Sequence, residues 1–256
     1  MTSSAQEPPP AAPPAALLEL SIIVPAYDEE HRIGPTLEEY AAHFTPIYGD
    51  GFEIVVVLNG CRDGTRGVVE AVARDAPQVR LIEFARPLGK GGAIWEGFAT
   101  ARGHRLAFVD ADNMVRAAET EKLVRALETH DVAIADRFSA PGVEADQPLT
   151  RKLIGRLSRL WVRWFLGLPY SDTQCGAKAF RAGAWRAVAP SIVERGWAFD
   201  LDVLAHVHRL GLSVAEVQVR WHHVAEGSKL RPWRDLPQTY LATFGIRRRA
   251  GRRARR

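Results

Sequence analysis

Two aspartates in the segment FVDADN (108–113) have the residue type and spacing of a cation site. Asp110 and Asp112 follow a strongly apolar run, so the sequence predicts that they stand at the end of a buried strand. Ionised carboxylates placed so close repel each other and lose hydration when they are enclosed. Mg²⁺ or Mn²⁺ would relieve both costs, because these ions prefer oxygen ligands and commonly bind carboxylates together with substrate phosphates. A solvated turn is the alternative interpretation of the same D-x-D pattern.

A second candidate for chemistry is Lys90, in the glycine-rich segment LGKGGA (88–93). A predicted helix begins just after this lysine, and the amides at a helix start attract phosphate groups. The segment has neither the spacing and following Ser or Thr of a P-loop nor the G-x-G-x-x-G of a dinucleotide site. Lys90 is therefore either a phosphate contact or a solvated lysine in a glycine turn.

The elements that would position these residues alternate along the chain. Nearly continuous apolar runs predict strands at 18–27, 52–60, 79–85, 105–112, 131–138 and 213–221. Helical spacing is found around 37–44, 63–73, 91–101, 118–130, 151–168 and 200–210. This alternation predicts an α/β fold, with a mostly parallel sheet flanked by helices and a smaller extension after it. Such sheets bind ligands at the carboxyl ends of their strands, where Asp110 and Asp112 are expected.

Composition excludes several classes of protein. Of the 256 residues, 46% are hydrophobic and 25% are charged, which is enough apolar material for a folded core. Residues 247–256 (RRRAGRRARR) contain seven arginines, more than the formal net charge of +4, so the rest of the chain is slightly acidic. A uniformly basic nucleic-acid-binding protein is therefore not expected. Cys61 and Cys175, the only cysteines, make neither a disulfide framework nor a zinc site and favour reduced thiols in the cytoplasm.

The chain divides into three parts by composition. Residues 1–16 are rich in proline and alanine and predict a disordered leader. Residues 17–245 predict a single domain, with a first half at 17–138 and a second half at 139–245. Residues 246–256 predict an arginine-rich tail. No apolar run reaches the ~18 residues that a spanning helix needs, and the first residues lack the pattern of a signal peptide.

Residues 151–168 (RKLIGRLSRLWVRWFLGL) separate apolar and basic side chains on opposite faces of a predicted helix. The apolar face contains Leu153, Ile154, Leu157, Leu160, Trp161, Trp164, Phe165 and Leu168, and the basic face contains Lys152, Arg156, Arg159 and Arg163. A helix of this kind either lies in a membrane interface or packs its apolar face into the core of its own domain.

Seven blocks, in order along residues 18–232, resemble the family 2 glycosyltransferases of the GT-A fold. They are VPAYDEE (24–30), NGCRDGT (59–65), RPLGKGGA (86–93), VDADN (109–113), DTQCGAKAF (172–180), WAFDLDVL (197–204) and GSKLRP (227–232). Within this family the blocks look most like the branch of dolichyl-phosphate β-glucosyltransferases and other polyprenyl-phosphate glycosyltransferases. DTQCG, WAFD and GSKL are the most distinctive of them.

The resemblance implies a metal-dependent, inverting transfer of a sugar, namely glucose from UDP-glucose, to a polyprenyl or dolichyl phosphate. Asp110 and Asp112 would hold Mg²⁺ or Mn²⁺ together with the donor diphosphate. Gln174 would face the reacting centre, and Arg137 would hold the acceptor phosphate. The nucleotide sugar would be bound by Pro25, Ala26, Tyr27, Glu29, Asn59, Asp63, Lys90, Ala111 and Lys229. Because the acceptor phosphate is already anionic near neutral pH, a strong general base is not required.

Several alternatives stay open. The family usually has an acidic pair where this chain has Leu58–Asn59, which leaves the nucleotide base open and makes GDP-mannose the alternative donor. If the acceptor were a soluble hydroxyl compound, Asp200 would serve as the general base. A non-enzyme alternative is a membrane-surface or nucleic-acid-binding protein that uses the basic tail. The intact D-x-D and the acidic balance of the rest of the chain argue against it.

Membrane attachment is the second departure from the family, because its eukaryotic members carry an N-terminal membrane anchor where this chain has the proline-rich leader. The helix predicted at 151–168 and the arginines of 246–256 are expected to bring the protein to an anionic membrane surface instead. We therefore expect a cytoplasmic protein that associates peripherally with the inner face of the cell membrane, with no nucleic acid as partner.

Overall fold

Strands and helices alternate along the chain from Leu18 to Gly251. The structure is a computed structural model and describes residues 17–138, 155, 157–221 and 232–251, without the side chains of Pro232 and Arg234. The strands are β1 (Leu18–Ala26), β2 (Phe52–Asn59), β3 (Val79–Phe84), β4 (Gly103–Phe108), β5 (Val132–Asp136), β6 (Lys178–Arg181) and β7 (Val214–Gln218). The helices are α1 (Ile33–Tyr48), α2 (Thr65–Asp75), α3 (Lys90–Thr100), α4 (Ala117–Ala126), α5 (Ala182–Val188), α6 (Phe199–Arg209) and α7 (Pro232–Gly251).

The strands of the described residues form one seven-stranded sheet in the order β3-β2-β1-β4-β6-β5-β7. Neighbouring strands run parallel, except that β6 is antiparallel to both β4 and β5. The carboxyl ends of β1, β2 and β4 therefore meet at one edge of the sheet. The segments that follow Ala26, Asn59 and Phe108 begin at this edge and, together with the last residues of β1 and β2, they contain seven of the nine predicted donor-binding residues.

The central strand β1 is buried on both faces because its apolar residues alternate between two cores. Ile22 and Val24 share one core with Tyr40 of α1, whereas Ile23 belongs to the other core together with Phe98 of α3. Burying one such side chain completely contributes about 1.5–3 kcal/mol to folding. Burial on both sides fixes β1 and, with it, the loop that starts at its carboxyl end.

The predicted α/β fold with a mostly parallel sheet is confirmed, and each predicted strand is present within a few residues. The strand predicted at 105–112 ends at Phe108, so Asp110 and Asp112 lie in the loop that follows it. Strand β6 was not predicted, because three of its four residues lie in the polar stretch SDTQCGAKAF (171–180) and four residues are too few for a pattern. The sheet thus gains its antiparallel member from a segment that the sequence presents as a loop.

The helix predicted at 151–168 is helical over residues 155 and 157–161 and then continues as a π-helical turn at Val162–Leu166. Gly167 ends it with a φ of 69°. The predicted apolar face is divided between the two predicted uses: Leu168 is buried, whereas Trp164 is 77% exposed.

Helix α7 was not predicted, and its extent corrects the boundary predicted between the domain and the arginine-rich tail. Residues 246–251 were assigned to the arginine-rich tail, but they form the last turns of this helix. Ile246 is completely buried, and Arg249 pairs with Glu194 at 2.8 Å. The tail prediction is wrong for these residues because a count of arginines does not reveal the one apolar side chain that anchors the helix. Residues 252–256 lie outside the described residues, as does the predicted leader at 1–16.

An exposed apolar surface lies where residues 157–166 meet helix α7, and we call it the apolar surface. Its side chains are 54–77% exposed and comprise Leu157, Leu160, Trp164, Leu241 and Phe244. A cavity of about 420 Å³ opens here between Trp161, Trp164 and Tyr240. Over the part of the chain that is described, no helix has the length and hydrophobicity to span a bilayer.

Candidate active site

The two aspartates of the D-x-D lie in the loop that joins β4 to α4, and backbone contacts hold this loop against β1 and α1. The amide of Val109 donates to the carbonyl of Ile23, which extends the β4–β1 pairing by one residue. Thr36 of α1 donates from its hydroxyl to the carbonyl of Ala111 at 2.9 Å, and both groups are buried. Asp110 and Asp112 flank this anchored residue, so the backbone that carries their carboxylates is fixed at the carboxyl edge of the sheet.

Gly176 allows the D-x-D loop to approach the DTQCG block. A β-carbon at this glycine would lie 1.8 Å from Oδ2 of Asp110 and 2.4 Å from its carboxyl carbon, which no folded protein tolerates. The carboxylate of Asp110 therefore occupies the space that a side chain at position 176 would need. Two of the sequence blocks, far apart along the chain, form one site through this contact.

Lys90 is the first residue of α3, and its ammonium lies 2.6 Å from Oδ1 of Asp110. Burial would lower the pKa of Lys90, but the nearby carboxylates of Asp110 and Asp200 outweigh it, so the pKa is raised above its usual value. The ammonium also lies 5.7 Å from the centre of the Trp197 ring. The lysine is therefore a fixed positive charge at the start of a helix, a position suited to phosphate oxygens.

The donor set of the D-x-D fits a hard divalent cation. Burial, and next the negative charge of Asp110, raise the pKa of Asp112 above its usual value. The charge of Asp110 thus disfavours the ionised form of Asp112, and a divalent cation between the two carboxylates would remove that conflict. Oxygen ligands of this kind suit Mg²⁺ and Mn²⁺.

Asn59, predicted to bind the donor, is buried and spans two loops. Its Oδ1 accepts from the amide of Leu88 at 2.6 Å, and its Nδ2 donates to the carbonyl of Gly89 at 3.2 Å. The side chain at the end of β2 therefore fixes the segment that leads into Lys90. In this structure Asn59 acts on the site by holding residues 88–90, which we call the lysine loop.

Three further predicted residues lie where β1 and β2 end. Asp63 accepts from the amide of Glu30 at 3.1 Å and from the amide of Thr65, the first residue of α2, at 3.0 Å. Glu29 is buried and pairs with Arg32. Tyr27 is 37% exposed, so its ring is accessible at the carboxyl end of β1, beyond Pro25 and Ala26.

A second group of possible metal ligands lies beside these residues. Oxygen or sulfur atoms of Asp28, Cys61 and Asp63 all fall within 4.8 Å of one another. However, the Cys61 thiol donates to the carbonyl of Ala26, and burial raises its pKa. The D-x-D carboxylates match the ligand preference of Mg²⁺ and Mn²⁺ better, because that pair offers only oxygen atoms.

Arg137, predicted to bind the acceptor phosphate, follows β5 and is held by Asp172. Its Nε donates to Oδ2 at 2.7 Å and its Nη2 donates to Oδ1 at 3.0 Å. Asp172 is almost completely buried; burial would raise its pKa, but the charge of Arg137 outweighs burial and lowers it. Oδ1 also accepts from the amide of Gln174 at 3.2 Å, and the Gln174 side chain is exposed. One buried carboxylate thus orients the Arg137 side chain and holds the backbone of Gln174, which was predicted to face the reacting centre.

Asp200, the predicted base for a hydroxyl acceptor, lies in the first turn of α6 and pairs with a buried lysine. The ammonium of Lys178 is 2.6 Å from Oδ1 of Asp200 and donates to the carbonyl of Cys175 at 2.7 Å. Sequence reasoning missed Lys178, and the available signal was a lysine placed between two alanines within the block DTQCGAKAF. Lys229 and the rest of its GSKL block lie outside the described residues.

Comparison with known proteins shows the family of this chain. The sequence model described as Glycosyl transferase family 2 matches residues 21–194. The chain is 35% identical over 233 residues to dolichyl-phosphate beta-glucosyltransferase of Drosophila melanogaster, which covers 84% of this chain and 70% of that protein. It is 34% identical over 212 residues to glycosyltransferase AglD of Haloferax volcanii, covering 81% of this chain but only 34% of AglD.

Among solved structures, glucosyl-3-phosphoglycerate synthase from Mycobacterium tuberculosis, in complex with Mn²⁺, UDP and glucosyl-3-phosphoglycerate, has a TM-score of 0.63. The match covers 91% of this chain and 80% of that chain at 21% identity, so it shows the fold. The class of protein is therefore an α/β transferase of the GT-A fold. The chain belongs to glycosyl transferase family 2 and is a glycosyltransferase.

Proposed function

We propose that this protein transfers glucose from UDP-glucose to a polyprenyl phosphate, with inversion at the sugar and with Mg²⁺ or Mn²⁺ at Asp110 and Asp112. The observation that carries the proposal is the 35% identity, over 84% of the chain, to a dolichyl-phosphate β-glucosyltransferase. The close grouping of Lys90 with the D-x-D carboxylates supports it, because a diphosphate donor needs both cationic contacts and a metal.

Charge is the main obstacle to this reaction, because an anionic phosphate must approach an anionic donor. Lys90 would bind a phosphate oxygen of the donor beside Asp110, together with the amides at the start of α3. A bound divalent cation would supply further neutralisation of the departing diphosphate. Asn59 would keep the lysine in place through the Leu88–Gly89 segment.

On the acceptor side, Arg137 would bind the acceptor phosphate with charge-assisted hydrogen bonds. Its side chain is 22% exposed, and its orientation is set by the two hydrogen bonds to Asp172. The acceptor oxygen attacks without a protein base, because the phosphate is already ionised near neutral pH. The pairing of Asp200 with Lys178 is consistent with this assignment, since Oδ1 of Asp200 is already occupied by the lysine ammonium.

We also propose that the apolar surface is the contact with an anionic membrane, at the inner face of the cell membrane. Trp164 and Leu160 expose most of their side chains, and the guanidinium of Arg247 lies 4.7 Å from the centre of the Phe165 ring. Exposed aromatic and aliphatic groups bordered by cations are typical of surfaces that sit at the lipid headgroups. A polyprenyl phosphate lies in the same bilayer, so this contact would bring the enzyme to its acceptor.

The decisive experiment incubates the purified protein and Mg²⁺ with a polyprenyl phosphate in detergent and a panel of radiolabelled nucleotide sugars. Label that moves into the organic phase, from UDP-glucose above all, is the expected result. Lipid-extractable label from GDP-mannose alone would overturn the choice of donor. Transfer to phosphoglycerate or to another soluble hydroxyl compound, with none to lipid, would overturn the choice of acceptor.

A further inference from the structure

The segment 193–197 lies against the start of α3 and contacts the residues of this helix at several points. The carbonyl of Arg195 accepts from the amide of Gly92 at 2.8 Å. The guanidinium of Arg195 lies 4.5 Å from the centre of the Trp95 ring on the same helix. The ring of Trp197 lies 5.7 Å from the Lys90 ammonium. A shift of the 193–197 segment would therefore move the first turn of α3 and the environment of Lys90.

The other side of the 193–197 segment is held by charged groups from two helices. Oδ2 of Asp202, in α6, accepts from the amides of Val193 at 2.8 Å and Glu194 at 2.9 Å. Arg249, in the last turn of α7, donates from Nη2 to Oε1 of Glu194 at 2.8 Å and to Oδ2 of Asp202 at 3.3 Å. The guanidinium of Arg249 thus joins helix α7 to Glu194 of the segment and to Asp202, the residue that holds the segment's amides.

The arrangement depends on Arg249 because Asp202 is completely buried. Burial would raise the pKa of Asp202, but His206, two backbone amides and the charge of Arg249 outweigh it, so the pKa is lowered. A buried carboxylate that loses a cationic partner is left under-compensated and tends to rearrange. The amides of the 193–197 segment, bonded to the same carboxylate oxygen, would take part in that rearrangement.

We propose that Arg249 is a positioning residue for donor binding, which holds Lys90 in place through Asp202 and the 193–197 segment. The proposal rests on the proposed function, in which Lys90 binds the donor diphosphate. It assigns to an arginine of the predicted basic tail a role inside the fold. It also connects α7, whose other residues form part of the apolar surface, to the nucleotide site.

The test compares Arg249→Gln with Arg247→Gln, which removes an equal charge two residues earlier on the same helix. Arg247 stacks on Phe165 and has no recorded contact with the 193–197 segment among the described residues. We expect Arg249→Gln to raise the KM for the nucleotide sugar about tenfold while the KM for the polyprenyl phosphate stays unchanged. Arg249→Lys should recover much of the loss, since one ammonium can still pair with both carboxylates.

A readout that needs no turnover accompanies the kinetics. Hydrogen exchange of the first turn of α3, where the Gly92 amide bonds to Arg195, should become faster in Arg249→Gln and stay unchanged in Arg247→Gln. If Arg249→Gln does not fold, Glu194→Gln replaces it, because this variant keeps the Arg249–Asp202 pair and removes only the more exposed partner.

The outcomes separate this inference from the proposed function. Unchanged exchange in α3, or acceptor and donor KM values that rise together, would overturn the role of Arg249. If the wild-type protein transfers no sugar to polyprenyl phosphate, the proposed function fails. Calorimetric affinity for UDP or GDP, whichever the wild type binds, then takes the place of KM, and an unchanged affinity in Arg249→Gln would again overturn the inference.

Discussion

The two halves of the domain differ in which polar and apolar side chains they bury and which they expose. In residues 17–138 the apolar strands are buried and the polar side chains at their ends bond to one another, as Asn59 does with the lysine loop. In residues 157–251 the buried groups include ion pairs such as Lys178–Asp200, while large apolar side chains such as Trp164 face solvent. The difference supports our proposal that the first half binds a soluble, charged donor and that the second meets a partner that is both anionic and apolar.

The largest effect is expected at the D-x-D of the first half. Asp112→Asn should lower kcat at least ~100-fold, because the cation and the donor diphosphate lose a ligand. Melting temperature should stay near that of the wild type, since the carboxylate of Asp112 accepts a hydrogen bond from the neighbouring amide of Met114 and, among the described residues, packs into no apolar core. The measurement is transfer at saturating Mg²⁺, with Asp75→Asn, an exposed carboxylate at the end of α2, as the control.

Wild-type activity that survives EDTA, together with an active Asp112→Asn variant, would contradict this role for the first half. The chemistry proposed for the first half would then have to rest on Lys90 and Arg137 without a metal.

The contact between the halves is tested by Gly176→Ala. The new methyl group would displace the carboxylate of Asp110, and a shift of about 1 Å at a reacting centre lowers rates roughly 100-fold. Gly183→Ala is the matched control, because a β-carbon there meets no atom within 4 Å. Steady-state kinetics and calorimetric binding of UDP with Mg²⁺ measure the effect, and near-normal values for Gly176→Ala would show that Asp110 does not need its observed position.

Sequence reasoning reached much of the first half because local patterns determine it. Continuous apolar runs mark parallel strands that are buried on both faces, and the polar residues at their ends converge without any knowledge of distant contacts. The D-x-D and Lys90 were found in this way, but their 2.6 Å pairing was not predicted, because β2 and β1 lie between the strands that precede them.

The second half was predicted less well because its stability depends on contacts between residues far apart in sequence. Strand β6 has four residues and gains its place only by pairing with β4 and β5. The proximity of Gly176 to Asp110 and the pairing of Lys178 with Asp200 have no local signal. Helix α7 contains an internal proline, Pro237, and many arginines, and the composition of its end is also that of a solvated tail.

A smaller effect is expected from the apolar surface of the second half. Trp164→Ser should weaken binding to phosphatidylglycerol vesicles about tenfold at any salt concentration, because the loss is one of buried apolar area. Folding should be retained, since the ring is 77% exposed. Ile47→Ser is the control, an exposed apolar residue on α1 of the first half.

Co-sedimentation with vesicles gives the result, with circular dichroism as the check on folding. Equal binding by folded Trp164→Ser and wild type would contradict a membrane contact at this surface. Trp161→Ser is expected to lower the melting temperature instead, because this ring stacks on Phe165 and its Nε1 donates to Thr243.

The smallest effect on activity is expected from Glu53 in β2, on the edge of the first half away from the site. Its carboxylate accepts from Ser21 at 2.6 Å and pairs with Arg80 at 2.7 Å and Arg102 at 3.0 Å. Burial would raise the pKa of Glu53, but Arg80, Ser21 and the amide of Arg102 outweigh it and lower the pKa below 4.5. The ionised form is thus favoured in the folded state.

Because its folded-state pKa is lowered, Glu53 contributes stability that is fully present above about pH 4.5 and is lost as pH falls through the folded value. Glu53→Gln should reduce the free energy of unfolding at pH 7 by about 2 kcal/mol, the range for hydrogen bonds to charged groups, and should flatten its decline below pH 4.5. Urea unfolding between pH 7 and pH 3 measures both quantities.

The KM for the donor at pH 7 should not change, because Glu53 lies at the end of β2 opposite the loops that form the site. If Glu53→Gln changed donor KM as strongly as stability, the site would not be independent of the far edge of the sheet.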